Sequence, residues 1–117
     1  MTPTELKRRT RLFAVAVIEL VETLPANRKG KILGDQLFRA AASVGANYRA
    51  ACKARSRAEF VAKIGIVEEE ADECQYWLRL LIDTGLVDEA EIDNLRQEAK
   101  ELTAIMASSR KSARMSK

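Results

Sequence analysis

The stretch from Gln36 to Leu81, QLFRAAASVGANYRAACKARSRAEFVAKIGIVEEEADECQYWLRLL, decides the fold. Apolar residues recur every three or four positions on both sides of Arg55–Ser56, which is the helical period. Ser56 followed by Glu59 forms a capping-box pattern, so one helix ends there and another begins. A connection that short folds the two helices back on each other, antiparallel. Along the first helix runs a polar row, Gln36, Arg39, Ser43 and Asn47. Midway along the second lies a carboxylate cluster, Glu68 to Glu70 with Asp72 and Glu73.

Similar signals occur on either side. Thr2, Pro3 and Glu5 read as a cap, a first-turn proline and a capping box. Phe13, Val17, Leu20 and Leu24 then form an apolar stripe, widened by Val15, Ile18 and Val21, and Pro25 stops the helix. Asn27 and Gly30 mark a turn, and the second helix is expected to start between Gly30 and Asp35. Gly45 lies inside it at a cost of about 1 kcal/mol relative to Ala, so a packing reason is expected there. Thr84–Gly85 closes the third helix, with Gly85 as a left-handed cap residue. Asp88 with Glu91 opens the fourth, which carries Ile92, Leu95, Ala99, Leu102, Ile105 and Met106.

Helices are thus expected at about 3–24, 33–54, 57–84 and 89–108, with 1–110 as the bundle and 111–117 as a basic, flexible tail. Four amphipathic helices with short connections make an all-α, antiparallel up-down-up-down four-helix bundle. Abundant Ala, Leu, Glu, Lys and Arg with few Gly, Pro and aromatic residues suit that class. No apolar run nears the roughly 20 residues needed to span a bilayer. With no signal-peptide layout either, a cytoplasmic location is expected.

The chain of 117 residues has no histidine, which removes the commonest general base and transition-metal ligand. It lacks a Gly-rich phosphate loop and a nucleophile motif. No catalytic set, cofactor, metal or small-molecule substrate is therefore expected, and the chain reads as a non-enzyme. The carboxylates could hold a hard cation, but a solvated or ion-paired face is the better reading. Cys52 and Cys74 stand apart as small core residues.

Three patterns resemble the bacterial four-helix-bundle proteins called 23S rRNA-intervening-sequence proteins. They are Q-L-x-R-A-A-x-S-V-x-A-N-Y (Gln36 to Tyr48), A-R-S-x-x-E-F (Ala54 to Phe60) and E-A-D-E-x-x-Y-W-L-x-L-L (Glu70 to Leu81). The resemblance implies a cytosolic bundle that assembles with itself into a ring, with a homopentamer as the expected form. A related branch resembles the accessory protein of diversity-generating retroelements, a basic ring that works with a reverse transcriptase and its RNA. No agreed biochemical activity comes with the family. Glu68–Glu69 departs from the neutral or basic residues frequent in relatives, which argues against an RNA surface on the third helix.

Two constellations remain. If the fold-back lies near residue 55, Arg39 reaches Glu70 or Glu73. Gln36, Arg39, Ser43 and Asn47 with Glu70 and Glu73 then form a register-fixing polar layer across the seam. The second is electrostatic. Residues 1–63 carry a net +8, residues 64–109 a net −9, and residues 110–117 add four basic groups. Bundle topology brings the start of the first helix, the second turn and the end of the fourth helix to one end. That end gathers Lys7, Arg8, Arg9, Arg11, Arg49, Lys53, Arg55, Arg57, Arg110 and Lys111, the candidate nucleic-acid-binding residues. Equally, a basic half and an acidic half attract each other between subunits. Tyr48, Phe60, Tyr76 and Trp77 suit core or subunit-interface packing better than base stacking.

Overall fold

In a computed structural model, which describes residues 1–116, four helices run in chain order. They are α1 (Pro3–Glu22), α2 (Arg28–Cys52), α3 (Arg57–Asp83) and α4 (Asp93–Met115), with a single 3₁₀ turn, Glu89–Ile92, leading into α4.

The local chemistry sets these bounds. Thr2 Oγ1 accepts from Glu5 N at 3.1 Å, and Glu5 reaches back to Thr2 N at 3.1 Å. α2 begins earlier than expected. Asn27 caps it by accepting from Gly30 N at 2.8 Å, so Arg28 and Lys29 are already helical. The basic first turn of α2 has no acidic residue and contains a glycine, which is why its sequence reads as a loop. Ser56 accepts from Glu59 N at 3.0 Å and starts α3. Gly85 is left-handed at φ 74°, and Leu86 N closes onto the Leu81 carbonyl at 3.0 Å.

α4 also runs on to Met115, past the expected end at 108. Its last turns are held from the side. Arg110 is ion-paired to Glu68 on α3, and Arg57 donates to the Ser116 carbonyl. Residues 111–115 are therefore helical; Lys117, the last residue of the expected tail, lies outside the described residues.

Cross-helix contacts give the direction of each helix. A Cβ at Gly45 would touch Thr10, while one at Gly34 would touch Val21 and Leu24, so α1 and α2 run antiparallel. Glu68 meets Arg110 and Gln75 meets Thr103, so α3 and α4 do too. The rod measures 50 × 20 × 19 Å. Its core is a continuous column, including Val17, Leu37, Val44, Ile64, Leu78, Leu102 and Met106, all fully buried. Side chains of this kind contribute about 1.5–3 kcal/mol each when taken from water. Thr10 is also fully buried; its hydroxyl donates to the Leu6 carbonyl at 2.8 Å, so no polar group is left unpaired there.

The most tightly packed glycine of α2 is Gly30, and Gly45, where a packing reason is expected, is not tight. A Cβ at 30 would lie 2.3 Å from the Pro25 carbonyl oxygen, whereas one at 45 meets nothing nearer than 3.5 Å. The tight point is thus the α1–α2 turn, where the backbone doubles back on itself.

Candidate functional site

The polar row is less of a layer than its spacing suggests. Arg39 projects from α2 to α3 and donates to Glu70 at 3.2 Å and also to Glu73. Its side chain is 49% exposed, so the cluster sits on the outer edge of the α2–α3 seam, outside the core. Trp77 Nε1 donates to the same Glu73 at 2.9 Å, which fixes the half-buried indole against the seam. Asn47 bonds along its own helix, to the Ser43 carbonyl at 2.9 Å, and does not cross to α3. Gln36 and Ser43 are half-buried beside it. One arginine and two carboxylates therefore span the seam, and the rest of the row lines its flank.

Beneath this cluster lies Cys74, fully buried. Burial, and then the nearby Glu70 and Glu73 carboxylates, push its thiol up to about 12. Such a thiol stays protonated and unreactive at neutral pH. Tyr48 is likewise raised, by burial first and then by its neighbour Cys52.

Among the acidic residues, Glu68 accepts from Arg110 at 2.8 Å. Glu98 and Glu101 on α4 take Arg9 from α1, at 2.6 and 2.7 Å. The hydrogen bonds that Arg9 donates to Glu98 chiefly raise its pKa above the ordinary value. Glu101 is held below the usual carboxylate range, by Gln97 first and Arg9 next. Sequence spacing does not reveal either clasp, because α1 and α4 are joined only through the whole chain. Among the described residues, no group of three or more His, Cys, Asp or Glu side chains could hold a metal ion.

The ten candidate basic residues therefore divide. Arg9 and Arg110 are engaged with carboxylates, and Arg57 with a backbone carbonyl. Arg8, Arg11, Arg49, Lys53, Arg55 and Lys111 are exposed, and Lys7 is half-buried. The start of α1, the α2–α3 turn and the end of α4 do meet. Met1, Lys7, Cys52, Ala54, Phe60 and Ser109 line one shallow cavity of about 450 Å³ at that end.

A second feature lies along the side of the rod. Lys7, Arg11 and Ala14 of α1 and Ala42, Gly45, Ala46 and Arg49 of α2 line an open groove of about 480 Å³. Large apolar side chains are also exposed on these two helices: Leu12, Val15 and Ile18 on α1 and Phe38 on α2. On α3, Ile66 and Tyr76 are exposed as well. Tyr76 packs edge-on against Trp77, with ring centroids 5.1 Å apart.

The architecture is that of an all-α helical bundle whose charged side chains clasp helices together and whose outer faces carry unpartnered apolar residues. The family model of the 23S rRNA-intervening sequence proteins matches residues 4–108, and the chain belongs to that family. It is also similar to a crystal structure of a protein of unknown function from the S23 ribosomal protein family of Bacteroides thetaiotaomicron VPI-5482. The two share 32% identity and superpose with a TM-score of 0.87, over 95% of this chain and 99% of that one. No curated protein matches the chain. No described helix is long and apolar enough to cross a membrane.

Proposed function

We propose that this protein is a non-enzymatic assembly subunit, a helical bundle that associates with copies of itself into a ring. One observation carries the reading: Val15 and Ile18 of α1 and Phe38 of α2 are between 37% and 44% exposed, on the two helices that line the groove. Contiguous apolar residues on a surface mark an interaction site. The charge division supports the same reading, because a basic α1–α2 half and an acidic α3–α4 half favour head-to-tail contact. Such contacts form a ring when the rotation between successive copies closes. A five-membered ring is the form the family resemblance implies.

Sedimentation at about 50 mM and about 500 mM salt tests it, since screening weakens exposed ion pairs. The expected result is a mass several times 13.1 kDa, reduced at high salt. A mass of 13.1 kDa under both conditions removes the reading.

A second reading is an RNA-binding accessory role. It is favoured by Lys53 and Arg55, exposed at the α2–α3 turn where the start of α1 and the end of α4 also arrive. Phosphate neutralisation needs such a cluster and makes affinity salt-dependent. Titration with a structured RNA at low salt tests this, comparing wild type with Lys53→Glu/Arg55→Glu. Equal affinity of the two, or no binding at low salt, removes it.

A further inference from the structure

The groove between α1 and α2 has two walls of the same spacing. Lys7, Arg11, Ala14 and Ile18 follow one another at four, three and four residues along α1. Phe38, Ala42, Gly45 and Arg49 do the same along α2. Side chains so spaced stand in line along one face of a helix. The helices run antiparallel, with Gly45 beside Thr10 and Gly34 beside Val21, so this register sets Ala14 level with Ala42, the cations together at one end, and Ile18 level with Phe38 just beyond the other end of the lined groove. The groove thus grades from apolar to basic over a floor of Ala and Gly. A small-residue floor lets another helix approach closely.

α3 carries a row of matching length and chemistry. Ile66, Glu69, Asp72 and Tyr76 are all exposed on its outer face. At 1.5 Å per residue this row spans about 15 Å, and the groove from Lys7 to Ile18 about 16 Å. Among the described residues, Lys7, Arg11 and Arg49 on one side and Glu69 and Asp72 on the other take part in no salt bridge within the chain. That sets them apart from Arg9, Arg39 and Arg110, which are neutralised internally. The groove and the row face different directions on one chain, so they can meet only between copies.

We infer that the α1–α2 groove of one copy receives the exposed face of α3 from the next. Ile66 packs between Ile18 and Phe38, and Glu69 and Asp72 face Arg11 and Arg49. The Tyr76 ring lies by Lys7, where a cation over an aromatic face is favourable. Each copy offers one groove and one row, so successive copies can join head-to-tail. The inference rests on the assembly reading above and names its surfaces. It uses Lys7, Arg11 and Arg49 and leaves Lys53 and Arg55 free for other partners.

Two variants of the full chain test it: Ala42→Arg, which fills the groove, and Ile66→Arg, which breaks the row. Both positions are exposed, so each variant should keep the helical circular dichroism of the wild type, while its melting should no longer depend on protein concentration. The expected result is that wild type sediments as an oligomer and each variant alone at 13.1 kDa. An equimolar mixture then gives a dimer, because one intact groove meets one intact row. Variants that assemble as wild type does overturn this interface while leaving assembly itself standing. Monomeric variants whose mixture stays monomeric overturn the pairing of groove with row. A wild type that is itself monomeric overturns assembly and interface together. If Ala42→Arg alters affinity for a structured RNA and leaves the mass unchanged, the groove is a nucleic-acid surface and the inference fails.

Discussion

Arg9 on α1 holds Glu98 on α4 with two parallel hydrogen bonds, from Nε at 2.7 Å and Nη2 at 2.6 Å. Both side chains are about a quarter exposed. The paired, planar geometry suits Arg and is lost with Lys. α1 and α4 touch over a short stretch only, so this clasp is a large share of what joins the first helix to the last.

Replacing Arg9 by Met keeps the apolar stem and removes the clasp. The expected loss is about 1–2 kcal/mol, within the range for hydrogen bonds to charged groups, discounted for partial exposure. Arg9→Lys should recover only part of it. Urea unfolding of the three proteins at one protein concentration reads the order directly.

The same cluster sets an acid limb. Gln97 and Arg9 hold the Glu101 carboxyl below its ordinary value of 4.5. A carboxyl lowered by folding contributes stability that is fully present above its unfolded value and is lost as pH falls through the folded one. Wild type should therefore lose stability below about pH 4.5 more steeply than Arg9→Met does. Parallel slopes for the two proteins between pH 5 and pH 3 would count against the assignment.

Cys74 and Cys52 should differ in reactivity. Cys74 is fully buried with its thiol pushed up to about 12, while Cys52 is half-buried near the α2–α3 turn. Native protein at pH 8 should release one equivalent of thiol to a colorimetric disulfide reagent quickly. The second should follow only at the rate of unfolding, or at once in denaturant. Two fast equivalents from native protein would contradict the burial.

Gly30 and Gly45, two of the three glycines of α2, should respond oppositely to alanine. Gly45→Ala adds a methyl at ordinary contact distance from Thr10, and helix propensity then favours it by about 0.5–1 kcal/mol. Gly30→Ala drives a Cβ to 2.3 Å from the Pro25 carbonyl oxygen, so the turn must shift. The expected cost is about 1–3 kcal/mol, as for other overpacked sites. Thermal melts of both variants check the two signs.

Arg39→Leu should lower stability by no more than about 1 kcal/mol, because the arginine is half-exposed. Its clearer effect should be on Trp77, whose indole shares Glu73 with Arg39. A change in tryptophan emission with little change in melting is the expected pair of results. A drop of several kcal/mol would mean that the cluster is part of the core.

How much of this was legible in the chain follows from where each force acts. Helix periodicity, the Thr2 and Ser56 caps and the Gly85 stop depend on residues within a few positions of one another. They specify an all-α bundle before any tertiary contact is known. The start of α2 was hidden because Asn27 caps a basic turn containing Gly30, whose smallness answers to Pro25 across the turn. The reach of α4 to Met115 was hidden for a similar reason: Arg110 and Arg57 hold it from outside the segment. The candidate basic cluster was legible as a list, but not its division. Which cations face solvent depends on which carboxylates the folded helices bring within about 3 Å, and Arg9 meets Glu98 only because both are carried by the packed bundle. By itself, then, the sequence determined the elements, their amphipathic faces and the charge division between the halves, because those are local properties. Only the tertiary structure decided which charges neutralise each other and which apolar side chains remain uncovered, because both depend on the relative rotation and height of helices far apart in the chain.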